Sequence, residues 1–256
     1  MPATDLDLLV EAATGAGEIA LAIRARGYRT WHKGDEGPAT DADLASDAHL
    51  RDRLIGARPD YGWLSEETED GPERLSRERV FIVDPIDGTR AFMEGSRDWG
   101  VSVAVAEAGR IVAAAVAMPA RGTLYAAAAG QGATRDGAPI RASGAADMAE
   151  AEVLCAKPTL AGQLWRGGAP PPFRRAFRSS LAFRLCLVAE GRYDAMLTLR
   201  PTWEWDVAAG ALIVTEAGGS ATDRAGLPLR FNGAVPRLPG IVAGGGVQAA
   251  LVEALM

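Results

Sequence analysis

Apolar residues recur at spacings of three and four through Leu6, Leu9, Ala13, Ala16, Ala20 and Ile23, which predicts a helix with one buried stripe from about Asp5 to Arg26. Thr4 is placed to cap its start and Gly27 to end it. Leu50 and Leu54 share a face in a second helix expected over Asp43–Ala57, closed by Pro59. The period then changes. Val80–Val83 reads as a strand, Val101–Val105 and Ile111–Val116 as a hairpin joined by Glu107-Ala-Gly-Arg110, and Thr123–Ala128 with Ala133-Thr134 as its continuation into an antiparallel meander. Asp136-Gly137 marks a further tight turn. After Ala142 strand and helix candidates alternate: Val153–Ala156, Leu181–Glu190, Tyr193–Leu199, Val207–Ala217, Ile241–Ala243 and Val247–Leu255. The change of pattern suggests an N-terminal α+β half over residues 1–145 and a C-terminal α/β half over 146–256, with Arg166–Pro172 as a surface loop.

Several acidic residues fall where this pattern would bury them. The apolar strand ending at Val83 runs into Asp84-Pro85-Ile86-Asp87-Gly88-Thr89, two carboxylates three apart. Pro85 pushes Asp84 towards an extended backbone, and Gly88 permits a sharp turn. Two anions so close at a buried strand end must take up a proton or bind a cation. Trp63-Leu-Ser-Glu66-Glu67-Thr68 ends another apolar approach in an acidic pair, and Trp203-Glu-Trp-Asp206 opens a long apolar helix. Taken singly, Asp206 reads as a helix cap and Glu66-Glu67 as a solvated loop. Taken together, hard oxygen donors without a Cys or His cluster favour Mg²⁺, Mn²⁺ or Ca²⁺ over zinc.

Composition narrows the partners. With 256 residues and 48% hydrophobic content the chain can form one large domain or two closely packed halves. A net charge of −6 argues against a nucleic acid polymer and leaves a small anion open. Arg174, Arg175, Arg178 and Arg184 are expected on a solvated helix face, with one or two near the cleft. Cys155 and Cys186 lack metal-ligand spacing and are expected to be buried free thiols, while the isolated His32 and His49 are expected at the surface. The N-terminal segment is acidic where a signal peptide would be basic, and the longest apolar run, Ile111–Ala117, is too short to cross a bilayer. A soluble cytoplasmic protein without membrane contact is the expectation.

The Glu-Glu pair at 66–67, Asp-Pro-Ile-Asp-Gly-Thr at 84–89 and Trp-Asp-Val-Ala-Ala-Gly at 205–210, in that order, resemble the three signatures of the inositol monophosphatase superfamily of Mg²⁺-dependent, lithium-sensitive phosphatases. Within it, Trp-Leu-Ser-Glu-Glu-Thr, Ser-Leu-Ala-Phe-Arg-Leu-Cys-Leu-Val-Ala-Glu-Gly at 180–191 and Pro-Thr-Trp-Glu-Trp-Asp at 201–206 look most like bacterial 3'(2'),5'-bisphosphate nucleotidases. The resemblance implies a five-layer αβαβα sandwich of the α/β (α+β) class, with the site in the crevice between its halves.

It also implies a set of roles. Glu66, Asp84, the carbonyl of Ile86, Asp87 and Asp206 would hold two or three Mg²⁺ ions, which activate a water for attack on phosphorus. Thr89 would orient that water, paired with Asp43, with Glu66 also taking part in catalysis. Gly88 and Thr89 would bind phosphate through backbone N–H groups, and Lys33 would lie close by. Asp87, Asp206, Ser179, Ser180 and Arg200 complete the expected substrate contacts, with Arg184 a further cation for a second phosphate. Trp203 and Trp205 are expected to pack in the core, with stacking on a base as the alternative.

Inositol phosphatases of the superfamily carry Gly-Thr-Ala where Ser179-Ser180-Leu181 stands here, and a glutamate near Thr198 or Leu199 that grips ring hydroxyls. The nucleotidases usually place an arginine near position 198. The leading expectation is hydrolysis of adenosine 3',5'-bisphosphate to AMP by a monomer or homodimer. Inositol-1-phosphate or histidinol and sugar phosphates are the alternative substrates, and a non-catalytic phosphonucleotide-binding protein is the alternative class.

Overall fold

α1 spans Asp5–Arg26 in the computed structural model, which describes residues 3–34 and 37–256. Thr4 and Asp7 close a capping box, each backbone N–H donating to the other's side chain at 3.1 Å. The buried stripe is wider than the spacing predicts, since Leu8 and Ala12 join it while Leu6 is only half-buried. Thr4→Ala is expected to cost about 1 kcal/mol and to lower the melting midpoint by about 2–4 °C, with turnover unchanged. A thermal melt beside an activity assay checks both.

α2 covers Asp41–Ala57, starting two residues before the expected Asp43 because Thr40 caps it and Asp43 is its third residue. The strand leading to the aspartates is longer than Val80–Val83: it runs Arg79–Asp87, with a bulge between Asp84 and Asp87 that accommodates Pro85, which has no N–H to give the ladder. Gly88, at φ 96°, turns the chain directly into a short α3, Thr89–Met93, and Phe92 packs edge-on against Trp99 at 5.0 Å.

Strand alternation builds the layers. Gly62–Ser65, Arg79–Asp87, Gly100–Glu107, Arg110–Met118, Thr123–Ala128, Ala133–Arg135 and Ala138–Pro139 form a seven-stranded sheet in that order, the first pair parallel and the rest an antiparallel meander. Phe81, Val83, Val103 and Val105 project from one face onto Leu9, Ala13, Leu50 and Leu54 of α1 and α2. Val80, Ile82, Ala104 and Val116 project from the other face onto α4, Leu181–Ala189, and α5, Glu204–Glu216. Every residue of α4 is buried, as a helix between two sheets requires. Gly210 lets α5 press against α4, because a Cβ there would lie 2.5 Å from Leu185.

A five-stranded mixed sheet forms the fourth layer, ordered Arg174–Ala176, Glu152–Leu154, Ala195–Thr198, Ile241–Gly244 and Ser220–Thr222. Leu154, Met196 and Ala243 face α4 and α5, while Val153, Ala195, Leu197 and Val242 face Trp165 and Leu251 of α6, Gln248–Ala254. The result is the αβαβα sandwich expected from the sequence.

Three local expectations are corrected. Arg174 and Arg175 lie on the edge strand of the second sheet and not on a helix, while Arg184 is buried within α4. α5 begins at Glu204 rather than Val207, so its cap is Trp203 and Asp206 is its third residue. Trp203 and Trp205 stack on each other at 4.7 Å, with the Arg237 guanidinium 4.3 Å from the Trp203 ring centre. Both cysteines are buried and unpaired, as expected. No helix among the described residues is long and apolar enough to cross a membrane.

Candidate active site

Parallel pairing of Gly62–Ser65 with Arg79–Asp87 sets Ser65 opposite Val83, and the Glu66 N–H donates to the Val83 carbonyl at 3.3 Å. The residue after one strand end therefore lies beside the first aspartate of the other. Two helix starts converge on the same place from the middle layer. Ser102, paired with Asp84 across the sheet, donates its hydroxyl to the Trp205 carbonyl at 3.2 Å and ties the start of α5 to the strand. Asp87 receives the Ser180 hydroxyl at 2.5 Å, the Ala182 N–H at 2.6 Å and the Leu181 N–H at 3.3 Å, so the positive end of α4 points at its carboxylate. Carboxylate oxygens of Asp84, Asp87 and Asp206 lie within 4.8 Å of one another.

Such crowding disfavours ionisation. Burial, then Glu66, Asp87 and Asp206, push the Asp84 carboxyl well above its ordinary range. Asp206 is pushed well up by burial, Asp87 and Glu66, with Arg200 and the Trp203 N–H acting against them. Burial also raises Asp87 despite its three donors and the nearby Arg184, and raises Glu66 despite Lys33. Four acids that resist ionisation together, offering only oxygen donors, suit a hard divalent cation such as Mg²⁺.

Asp43 and Thr89 meet beside this cluster, as the motif reading expected. The Thr89 hydroxyl lies 3.2 Å from Asp43 Oδ1 and 3.2 Å from the Ile86 carbonyl oxygen. Asp43 Oδ2 receives the Thr40 N–H at 2.8 Å and the Thr40 hydroxyl at 2.6 Å, so one side chain is both cap partner and Thr89 partner. Burial pushes the Asp43 carboxyl up to about 6.

Over its length the chain also matches a known group of proteins: residues 2–255 fit the inositol monophosphatase family. The chain belongs to that family. Its relatives include the 3'-phosphoadenosine 5'-phosphate phosphatase of Mycobacterium leprae, 36% identical over 93% of this chain and 88% of that protein. The inositol-1-monophosphatase of Rhizobium meliloti is also 36% identical, over 75% of each chain. The extragenic suppressor protein SuhB of Bartonella henselae has a similar structure, with a TM-score of 0.82, 28% identity and 96% of each chain covered. Equal identity to relatives with different substrate names assigns this member of the family as a phosphatase and leaves the substrate to local residues.

Those residues are distributed unevenly around the carboxylate cluster. Lys33 bonds Glu66 Oε1 at 3.1 Å and Glu67 Oε1 at 2.7 Å; burial would lower its basicity, but the two glutamates hold it above the ordinary lysine range. The Glu66-Glu67 pair is thus half-buried and ion-paired, not a solvated loop. Ser180 is fully buried behind Asp87, its oxygen also accepting the Phe183 N–H at 2.9 Å, whereas Ser179 is exposed. Ser180 therefore cannot offer the direct substrate contact expected of it, because its hydroxyl is engaged in both directions. Arg200 is exposed and close enough to Asp206 and Arg184 to act on both charges. Arg184 donates to the Arg178 carbonyl at 2.6 Å and lies 4.5 Å from the exposed Phe177 ring centre. Thr198 and Leu199 are buried and present no carboxylate. Sequence reading missed Asp47 and Ser102; the spacing of Asp47 from Asp43, one helical turn, was the signal for the former.

Proposed function

We propose that this phosphatase is a Mg²⁺-dependent 3'(2'),5'-bisphosphate nucleotidase that converts adenosine 3',5'-bisphosphate to AMP and phosphate. The observation that carries the reading is the pairing of a carboxylate cluster with two arginines, Arg184 beside Asp87 and Arg200 beside Asp206. A substrate with one phosphate at the acids and a second at the exposed Arg200, with the buried Arg184 adding positive charge behind Asp87, fits that asymmetry. Inositol phosphate has ring hydroxyls in place of the second charge, and the buried Thr198 and Leu199 give them no carboxylate to grip. The mycobacterial relative named for 3'-phosphoadenosine 5'-phosphate supports the same choice.

In this reading Glu66, Asp84, Asp87, Asp206 and the Ile86 carbonyl would hold two or three Mg²⁺, whose charge would offset that of the phosphate and lower the pKa of a water to supply a hydroxide nucleophile. Thr89 accepts a hydrogen bond from that water while its own proton points to Asp43. The N–H groups of Gly88 and Thr89 hold phosphate oxygens, and Lys33 keeps Glu66 and Glu67 from repelling the incoming anion. Residues 1–145 supply most of the acids, and residues 146–256 close the crevice with Asp206 and the arginines.

The test compares kcat/KM for adenosine 3',5'-bisphosphate, inositol-1-phosphate and histidinol phosphate at saturating Mg²⁺. Faster turnover of either monophosphate would overturn the substrate assignment. Arg200→Ala is expected to raise KM for the bisphosphate about tenfold, the worth of one exposed charge-assisted contact, with kcat nearly unchanged and the monophosphates unaffected.

A further inference from the structure

Behind the carboxylate cluster, a buried acid outside the expected ligand set is fully engaged. Asp47 lies one turn beyond Asp43 on the same face of α2. Its Oδ1 receives the Ser65 hydroxyl at 2.5 Å, and its Oδ2 receives the Thr68 hydroxyl at 2.8 Å. Ser65 and Thr68 flank Glu66-Glu67. The Ser65 oxygen also accepts the Glu67 N–H at 3.3 Å, and the Thr68 oxygen accepts the Trp63 indole N–H at 3.2 Å. Both ends of the four-residue segment are thus fastened to one carboxylate on α2.

The fastening matters because, among the described residues, few other bonds restrain the segment. The strand ends at Ser65, among the described residues its one further backbone tie is the long Glu66 N–H bond to Val83, and the next side-chain fastening along the chain is Asp70, whose carboxylate accepts two hydrogen bonds from Arg74. Lys33 pulls the two glutamates from the opposite side. Without a counter-anchor, the Glu66 carboxylate could follow Lys33 outward, away from Asp84. Asp47 supplies that anchor on α2, whose start also holds Asp43 against Thr89.

We propose that Asp47 is a positioning residue which aims Glu66 at the carboxylate cluster and so sets the affinity for the divalent cation. The inference rests on Glu66 being a cation ligand. It separates α2 into two tasks one turn apart: Asp43 orients Thr89, and Asp47 orients Glu66.

The test is Mn²⁺ binding by calorimetry on the full chain, read beside the thermal midpoint. Asp47→Ala is expected to weaken Mn²⁺ binding about 10–100-fold, the range for groups that orient metal ligands. Glu66→Gln should weaken it too, and the double variant no further than Glu66→Gln alone, because Asp47 acts through Glu66. Losses that add, or an Asp47→Ala affinity within twofold of the parent while Glu66→Gln is weakened, overturn the anchor. Unchanged affinity in Glu66→Gln instead sinks the ligand assignment beneath it. Should Asp47→Ala fail to fold, Thr68→Val removes one of the two anchoring bonds from the segment's side. It is expected to weaken Mn²⁺ about fivefold, the worth of one hydrogen bond, and an unchanged affinity there counts against the anchor equally.

Discussion

Asp84→Asn is expected to cut turnover at saturating Mg²⁺ by about a thousandfold or more, the rate equivalent of losing several kcal/mol of electrostatic stabilisation, and to make the metal-free protein more stable. The first effect follows from removing one negative charge at the centre of the oxygen cluster, where Asp84 lies beside Asp87 and Asp206. The second follows from burial. The Asp84 carboxyl is held well above its ordinary range by lost hydration and by neighbouring acids, so the folded state resists its charge. Because the folded-state value exceeds the unfolded one, stability is full at acid pH and is lost as pH rises above the ordinary carboxylate range of about 4. Asparagine escapes that loss while its Oδ1 still accepts the Ile86 N–H, which lies 3.0 Å from the aspartate oxygen. The chelated variant should therefore melt above the chelated parent at pH 7.5, with the gap closing towards pH 4. A turnover within tenfold of the parent would remove Asp84 from the reaction. Asp87→Asn is a poorer probe, because Asp87 also accepts three hydrogen bonds at the start of α4 and an amide would turn a donor against donors.

How much of this was legible in the sequence depends on where each constraint resides. Asp84-Pro85-Ile86-Asp87-Gly88-Thr89 carries its chemistry in contiguous residues, and α1 carries its whole boundary in Thr4, the apolar spacing and Gly27. The meander was legible because its turns are short and its strands are apolar runs rich in Val, Ile and Ala, buried on both faces. The nearness of Glu66 to Asp84 could be expected only from the motif order, since parallel pairing of Gly62–Ser65 with Arg79–Asp87 is a long-range fact with no local turn to announce it. The start of α5 was misplaced because Trp203-Glu204-Trp205 looks like a poor helix opening. Glu204 is in fact buried and receives the Asn232 N–H at 2.6 Å and the Gly233 N–H at 2.9 Å. Arg184 misled in the same way: an arginine in a loose cluster reads as solvated, yet α4 lies between two sheets and draws its side chain inside. Residues governed by tertiary packing were the ones sequence reading could not place.

The pairing of Asp43 with Thr89 yields the other large effect. Thr89→Val and Asp43→Asn are each expected to lower kcat by about a hundredfold or more, the usual scale for a group that positions or relays a proton, and the double variant should be no worse than the poorer single one. The reason is directional. To accept a hydrogen bond from the attacking water, the Thr89 hydroxyl must donate its own proton away, to Asp43 or to the Ile86 carbonyl, each 3.2 Å distant. Asp43 Oδ2 already receives two donors from Thr40, which fixes Oδ1 towards Thr89. An asparagine that keeps the cap through its oxygen must present its amide to Thr89, and the hydroxyl then faces a donor where it had an acceptor. Burial pushes the Asp43 carboxyl up to about 6 in the metal-free protein, and bound cations nearby would favour its charged form. Turnover of the parent should therefore fall on the acid side at or below about pH 6, and Asp43→Asn should lose that limb while retaining its low plateau. Additive losses in the double variant, or an acid limb that survives Asp43→Asn, would make Asp43 a helix cap alone and leave Thr89 to act through the Ile86 carbonyl.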